Sequence, residues 1–349
     1  MDTQQSKDLQ TLRTRDMMTL MRAMIPAQEQ LLIVSPPGSG KTSMYGQVAA
    51  EIDYDLILFH PAVDEPVDYK GLPGFDSDHR AEFHPYGNLR VLLETDRPTL
   101  AVFDDFGQAD ESVQKATMQL LGSRELNGMR VSDSVVFGAA TNDKGQRAGV
   151  RGLLEPVKSR FDCIQHLDIH VDDWTEWALQ SGNVPEELIA FINHRPDFLT
   201  AWEPNAELLN TPNPRSIVKA GSKIRLGLPT GIEQSAMAGA AGGAFAQEFA
   251  GFMQVYRNLP NPKLTLQKPD QAKLPTDDAM TMYAMTASCT AHADKKTADG
   301  YFRLLGRLCE EGVAEYAVLG VKMVNQRSSD LFNTSAYINF LDKYSDIFD

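Results

Sequence analysis

Residues 35–43 read "SPPGSGKTS", directly after the apolar run "LLIV" and directly before a stretch with helical patterning. A turn needs the Pro and Gly residues, but it does not need a Lys followed by two hydroxyl side chains. Phosphate binding needs all of them. Glycines at Gly38 and Gly40 let backbone N–H groups close around a phosphate, Lys41 sets a point charge on its oxygens, and Thr42 offers a hydroxyl to Mg2+. A helix beginning near Lys41 adds the positive end of its dipole. Pro37, Gly38, Ser39, Gly40, Lys41, Thr42 and Ser43 are therefore candidate nucleotide-phosphate ligands. Ser35 stands where the motif G-x-x-x-x-G-K-[ST] has its first Gly.

Four further motifs complete a constellation. In "LAVFDDFGQAD" a buried strand ends in two carboxylates, and the carboxyl ends of strands in a doubly wound sheet face the ligand crevice. Asp104 would hold Mg2+ through water, and Asp105 would orient or deprotonate an attacking water. In "AATND", Asn142 ends another strand within reach of a γ-phosphate or that water. Alone, such an Asn is usually a turn former. In "GLLEPVKSRFD", Arg160 precedes a strand, where it would reach a neighbouring subunit's phosphate more easily than its own. In "TPNPRSIVKAG", Pro214 and Arg215 open a later helix, from which Arg215 would lean over the nucleotide. A bare Arg is most often a solvated surface group, so both roles rest on the order of all the motifs together.

The elements that must position these residues are legible from periodicity. Five apolar runs, at 31–35, 56–60, 100–106, 135–141 and 163–169, alternate with helical patterns, the sequence form of a parallel sheet covered on both faces. Leu9, Leu12, Met18, Met21 and Ile25 predict an amphipathic helix over 8–25 that packs on this sheet. Asn127-Gly128 predicts a hairpin just ahead of the fourth strand, since both positions tolerate φ > 0. Beyond Val171 the strand signals stop and helices follow. The Pro-rich and charged segment 259–278 reads as a surface crossing between helices.

Composition narrows the function classes. The chain of 349 residues is 42% hydrophobic and 23% charged, which fits two soluble domains. No apolar run is long enough to span a bilayer and the N-terminus lacks a signal-peptide pattern, so the expected location is cytoplasmic. Three separated cysteines without C-x-x-C predict buried thiols, and seven scattered histidines give no metal site. A formal charge of −14 opposes sequence-independent binding to nucleic acid, which is not expected as a partner.

With these motifs in this order, and with "FDDFGQADESVQKATMQLL", "NGMRVSDSVVFGAATN", "RAGVRGLLEPVKSRF" and "DDWTEWA", the chain resembles AAA+ ATPases of the MoxR group over nearly its whole length. The resemblance implies a P-loop AAA+ α/β domain, a parallel five-stranded sheet with flanking helices, over 1–170, followed by an all-α lid domain over 171–349. It implies a Walker A loop at 35–42, a Walker B strand at 101–105, sensor 1 at Asn142, an arginine finger at Arg160, sensor 2 at Arg215, and a helix-2 insertion at 71–87. ATP and Mg2+ would be the cofactors and a ring, a hexamer, the assembly. The partner would be a protein that is remodelled or matured, in many cases one with a von Willebrand factor A domain. Asp105 stands where the group has Glu, which leaves Gln108 as a second water-positioning candidate. Two rival readings remain, a DNA-associated motor or loader and a weakly hydrolysing nucleotide switch.

Overall fold

A computed structural model describes residues 11–143, 152–203, 207–327 and 329–348. The chain divides into two compact units, Met1–Ile169 and His170–Asp349. In chain order the first unit runs β1 (Thr11–Arg13), α1 (Thr14–Met24), β2 (Leu31–Val34), α2 (Lys41–Glu51) and β3 (Asp55–Phe59). A hairpin of β4 (Leu72–Phe75) and β5 (Ala81–His84), α3 (Gly87–Glu94), β6 (Thr99–Phe103) and α4 (Glu111–Gly122) follow. A second hairpin of β7 (Glu125–Leu126) and β8 (Met129–Arg130), then β9 (Val135–Thr141), α5 (Glu155–Lys158) and β10 (Cys163–Asp168) complete it.

Six strands form one sheet in the order β1-β10-β2-β9-β6-β3, and every pair is parallel. The three central strands are buried along their whole length, so they read as continuous apolar runs rather than alternating ones. Alternation survives in which face each residue serves. Leu31, Ile33, Leu100, Val102 and Val136 pack with Met17, Met21, Met44 and Val48 of α1 and α2 on one face. Leu32, Ala101, Phe103 and Phe137 pack with Leu89, Leu92, Val113 and Leu120 of α3 and α4 on the other.

The sheet has one strand more than the sequence predicts. The expected helix over 8–25 is a helix only from Thr14, because Thr11–Arg13 extends along the open edge of β10, with Thr11 opposite His166 and Arg13 opposite Asp168. An open strand edge offers unpaired backbone groups, and a short β-compatible tripeptide satisfies them. The part of that expectation on residues 8–10 lies outside the described residues. The Asn127-Gly128 turn joins β7 to β8 with φ of 47° and 83°, the two positive values that a tight hairpin turn needs. Within 71–87 the chain forms the hairpin β4–β5, whose strands are almost wholly exposed.

The second unit contains α6 (Val171–Ser181), α7 (Glu186–His194), α8 (Pro214–Gly221), α9 (Thr230–Ala241) and α10 (Gly243–Arg257). It continues through α11 (Pro262–Gln267), α12 (Ala279–Ala291), α13 (Ala298–Glu310), α14 (Ala314–Arg327) and α15 (Ser335–Tyr344), with no strand among its described residues. The 259–278 segment is not a bare crossing. Asn261 caps α11, Pro262 opens it and Leu266 is buried, so one turn-rich stretch still contributes to the core. Of the three free cysteines Cys289 is buried, whereas Cys163 and Cys309 are half-buried, short of the expected full burial. No helix among the described residues is long and apolar enough to cross a membrane.

Candidate nucleotide-binding site

Strands β2, β9 and β6 lie side by side and run the same way, so their carboxyl ends open on one edge of the sheet. Neighbouring strands are spaced by about 4.8 Å, which puts residues that follow the three strands within side-chain reach of one another. The residues there are the loop 35–40, Asn142, and the Asp104-Asp105 pair. Sequence separation is large and spatial separation is small because the topology crosses over twice between them.

The loop has the backbone that its glycines permit. Gly38 and Gly40 have φ of 75° and 93°, in the left-handed region, and α2 starts at Lys41 with Met44 N–H donating to Gly40 O at 2.9 Å. Lys41 is 6% exposed, deeply buried for a lysine. Its Nζ donates to Ser35 O at 3.0 Å, Pro36 O at 3.1 Å, Ser35 Oγ at 3.2 Å and Asn142 Oδ1 at 2.9 Å. The ammonium is therefore held over the loop mouth by carbonyl, hydroxyl and amide oxygens. Ser39 Oγ also makes a short contact with Ser35 Oγ across the loop. Ser43 is exposed on the first turn of α2, and Pro37 is partly exposed in the loop.

The carboxylates meet the loop from β6. Thr42 Oγ1 donates to Asp104 Oδ1 at 2.8 Å, and Asp105 N–H donates to the same oxygen at 3.1 Å. Asp105 has φ 50° and ψ 34°, a left-handed conformation that Asp tolerates better than most residues. Phe106, fully buried and stacked on Phe103 at 5.3 Å, wedges the turn in place. Asn142 closes the circuit, donating through Nδ2 to Asp105 Oδ1 at 3.2 Å while its Oδ1 accepts from Lys41. One amide thus bridges the cation and the carboxylate.

These groups fit a nucleotide phosphate with its divalent cation. Hydroxyl and carboxylate oxygens of Thr42 and Asp104 are the hard donors that Mg2+ takes, and both sit beside the loop rather than in it. The buried ammonium answers phosphate charge, and Asp105 with Asn142 makes an acceptor–donor pair that can orient water.

Two proposed residues are not at this edge or belong elsewhere. Arg160 precedes β10, whose first residue Cys163 pairs with Leu31 at the start of β2, so it lies at the amino end of the sheet while Lys41 lies past the carboxyl end. Its Nε donates to Met118 O at 3.0 Å and its Nη1 to Pro156 O. Arg215 is exposed on the first turn of α8, in the other compact unit. Residues 147–151 of the "RAGVRGLLEPVKSRF" motif lie outside the described residues.

Three residues that sequence reading passed over support the site. Thr141 Oγ1 accepts Gly107 N–H at 3.1 Å, joining the end of β9 to the turn after the carboxylates. Tyr45, wholly buried on α2, sends its hydroxyl to Leu31 O at 2.7 Å and Ala139 O at 3.2 Å, anchoring the helix that bears Lys41 to β2 and β9. Burial drives its phenol well above the ordinary range, so it stays a neutral donor. Gly138 lies beneath it, and a Cβ there would come within 2.8 Å of the ring, so that the Gly in "VVFGAAT" marks the spot. Gln114, 1% exposed, donates to Ala109 O and Gly152 O and accepts from Leu154 N–H, linking α4 to the segment before Arg160.

No protein-family model and no curated protein matches the chain. Among solved structures it is similar to a point mutant of Thermotoga maritima RuvB, at 13% identity over 85% of this chain and 87% of that one, with a TM-score of 0.41. NtrX from Brucella abortus in complex with ADP matches at 12% identity over 86% and 68%, with a TM-score of 0.42. A candidate ATPase from Cytophaga hutchinsonii matches at 18% identity with a TM-score of 0.33, over 44% of this chain and 46% of that one. The chain thus spans less than half of the Cytophaga protein. At such identities and TM-scores the likeness assigns no residue and no activity. The parallel sheet in the order β1-β10-β2-β9-β6-β3 and a P-loop between β2 and α2 make the first unit a P-loop α/β fold with six strands, and the described residues of the second unit form helices and turns without a strand.

Proposed function

We propose that the chain is an ATP-hydrolysing machine of the MoxR type that remodels or matures a partner protein. The observation that carries the reading is the circuit Lys41–Asn142–Asp105, with Thr42–Asp104 beside it, at one sheet edge. A turn with no role would not bury an ammonium and connect it to two other strand ends. The loop amides from Gly38 to Lys41 and the Lys41 ammonium would hold the β- and γ-phosphates. Thr42 and Asp104 would hold Mg2+, which neutralises phosphate charge when bound. Asp105 takes or aligns the proton of a water that forms a bond to the γ-phosphorus as the bond to the β-phosphate oxygen breaks. Asn142 keeps that carboxylate aimed and donates toward the transferring group.

Arg160 would then act on a neighbour's nucleotide in a ring, a hexamer, since its own phosphate loop lies beyond the opposite end of the strands. Arg215 would act from the helical unit. The partner class, a protein with a von Willebrand factor A domain, comes from the family resemblance alone. A fusion trapped in the ATP state by Asp105→Asn should retain one such protein from its native host, and release it when the nucleotide is removed. Steady-state phosphate release with and without duplex DNA addresses the motor reading. No change at physiological salt supports a protein substrate, whereas a several-fold rise supports DNA.

A further inference from the structure

Gly122 is the last residue of α4, and the helix passes from it to Ser123 with a right-handed φ of −86° and ψ of −8°. No left-handed turn asks for a glycine here. Gly is among the poorest helix formers, so its place at the end of α4 needs a packing reason. A Cβ at 122 would come within 2.8 Å of Arg160 Nε, 3.5 Å of its Cδ and 3.6 Å of its Cζ, the three nearest atoms beyond the adjoining backbone. The gap left by the missing side chain is filled by the arginine.

Gln114, Met118 and Gly122 are spaced at i, i+4 and i+8 and so share one face of α4. Along that face the segment bearing Arg160 is fastened in order. Gln114 Nε2 donates to Gly152 O at 3.0 Å and its Oε1 accepts from Leu154 N–H at 2.9 Å, which pins the chain just ahead of α5. About one turn on, Met118 O accepts from Arg160 Nε at 3.0 Å. Another turn on, Gly122 makes room for the same side chain. Val157 is fully buried and Phe161 nearly so, its ring edge-on to Phe106 at 6.4 Å, so the backbone on both sides of Arg160 is anchored in the core. What the core leaves open is the direction of the arginine side chain, and Met118 O and the gap at 122 set it. Resting on the reading of Arg160 as a finger for a neighbouring subunit's nucleotide, we infer that Gly122 is a positioning residue, whose missing side chain lays Arg160 along α4 and aims its guanidinium. A Cβ there displaces Nε from Met118 O. The atoms in its way belong to a long side chain rather than to backbone, so the arginine swings aside and the fold stays. The substitution that harms turnover is then one that favours the helix.

The test compares wild type, Gly122→Ala and Arg160→Ala as full chains, by melting temperature, Mg·ADP affinity and steady-state phosphate release from Mg·ATP. Gly122→Ala is expected to melt at the wild-type temperature or about 1–3 °C above it, since Ala is the better helix former. It should bind ADP as wild type does and release phosphate about 10- to 100-fold more slowly, the range for a small misplacement of a catalytic group. Its defect should also follow the finger. Co-assembled with Lys41→Ala chains, whose Arg160 is untouched, it should regain activity, and co-assembled with Arg160→Ala chains it should not. Wild-type turnover in Gly122→Ala beside a silent Arg160→Ala overturns the seat and leaves the finger standing. A loss of turnover that comes with a lowered melting temperature or weakened ADP affinity, or that Lys41→Ala chains fail to restore in verified mixed rings, overturns it as well. Wild-type turnover in Arg160→Ala overturns seat and finger together.

Discussion

Lys41 and Asn142 are 101 residues apart in the chain and 2.9 Å apart in space, ammonium to amide oxygen. The register that pairs Val34 with Thr141 brings them together, since Asn142 directly follows β9 and the loop after β2 folds back to Lys41 at the start of α2. Removing the amide should therefore harm catalysis more than binding. Asn142→Ala is expected to bind ADP with near wild-type affinity and to release phosphate about 10- to 100-fold more slowly, in the range for loss of one aligned donor. Loss of binding of the same size would instead make Asn142 a ligand of the ground state.

Asp105→Asn keeps the shape of the side chain and removes its basicity. The variant should bind ATP and hydrolyse it at least about 100-fold more slowly, because water is no longer aligned by a carboxylate. Single-turnover phosphate release separates this from slow product loss. Normal turnover would move the water-positioning role to another group, Gln108 being next along the same turn.

Arg160→Ala, alone, should bind nucleotide and be almost silent in turnover, since an arginine finger is worth about 10³–10⁵ in rate. Its bonds to Met118 O and Pro156 O make a loss of stability a competing explanation. Mixing resolves the two. Rings co-assembled from Arg160→Ala and Lys41→Ala chains should regain activity at the interfaces that join an intact loop to an intact finger. Verified mixed rings that stay silent would argue against action between subunits.

In the second unit, Glu310 accepts from Lys343 Nζ at 2.8 Å, Tyr344 hydroxyl at 2.7 Å and Arg303 at 3.3 Å, fastening α15 to α13. Bonding to Lys343 first and Tyr344 second pulls its carboxyl down to about 2. A folded value below the unfolded one gives stability that is present above the unfolded carboxylate range and lost as pH falls toward 2. Glu310→Gln should lower the melting temperature of the chain by a degree or two near neutral pH, with the difference from wild type narrowing as the pH drops below about 4. A constant difference at every pH would mean that packing rather than charge fastens the helix.

Much of this site was legible because phosphate chemistry restricts residue types. Gly38, Gly40, Lys41 and Thr42 announce themselves locally, and strand runs ending in Asp104-Asp105 and Asn142 point to one crevice once a parallel sheet is inferred. The bridging role of Asn142 was not legible, since it depends on strand order and on the left-handed turn at Asp105. Tyr45 and Gln114 were silent for the same reason, being polar groups on faces that look apolar. Among the elements, β1 was missed because a three-residue edge strand is defined by its neighbour's open edge. Helix α12 left no amphipathic pattern, as Met282, Ala284, Met285, Thr286, Ala287, Ser288, Cys289 and Thr290 are buried in unbroken succession or nearly so.

Lys41 working in a single ATP-hydrolysing site is tested by phosphate release from Mg·ATP by the purified chain, measured beside its Lys41→Ala variant. Wild type is expected to release phosphate continuously. The variant is expected to lose nucleotide affinity and at least about 99% of the rate, since Lys41 is the buried cation at this sheet edge that the β- and γ-phosphates need. Equal turnover in the two proteins, or no binding of ATP by wild type, would contradict it.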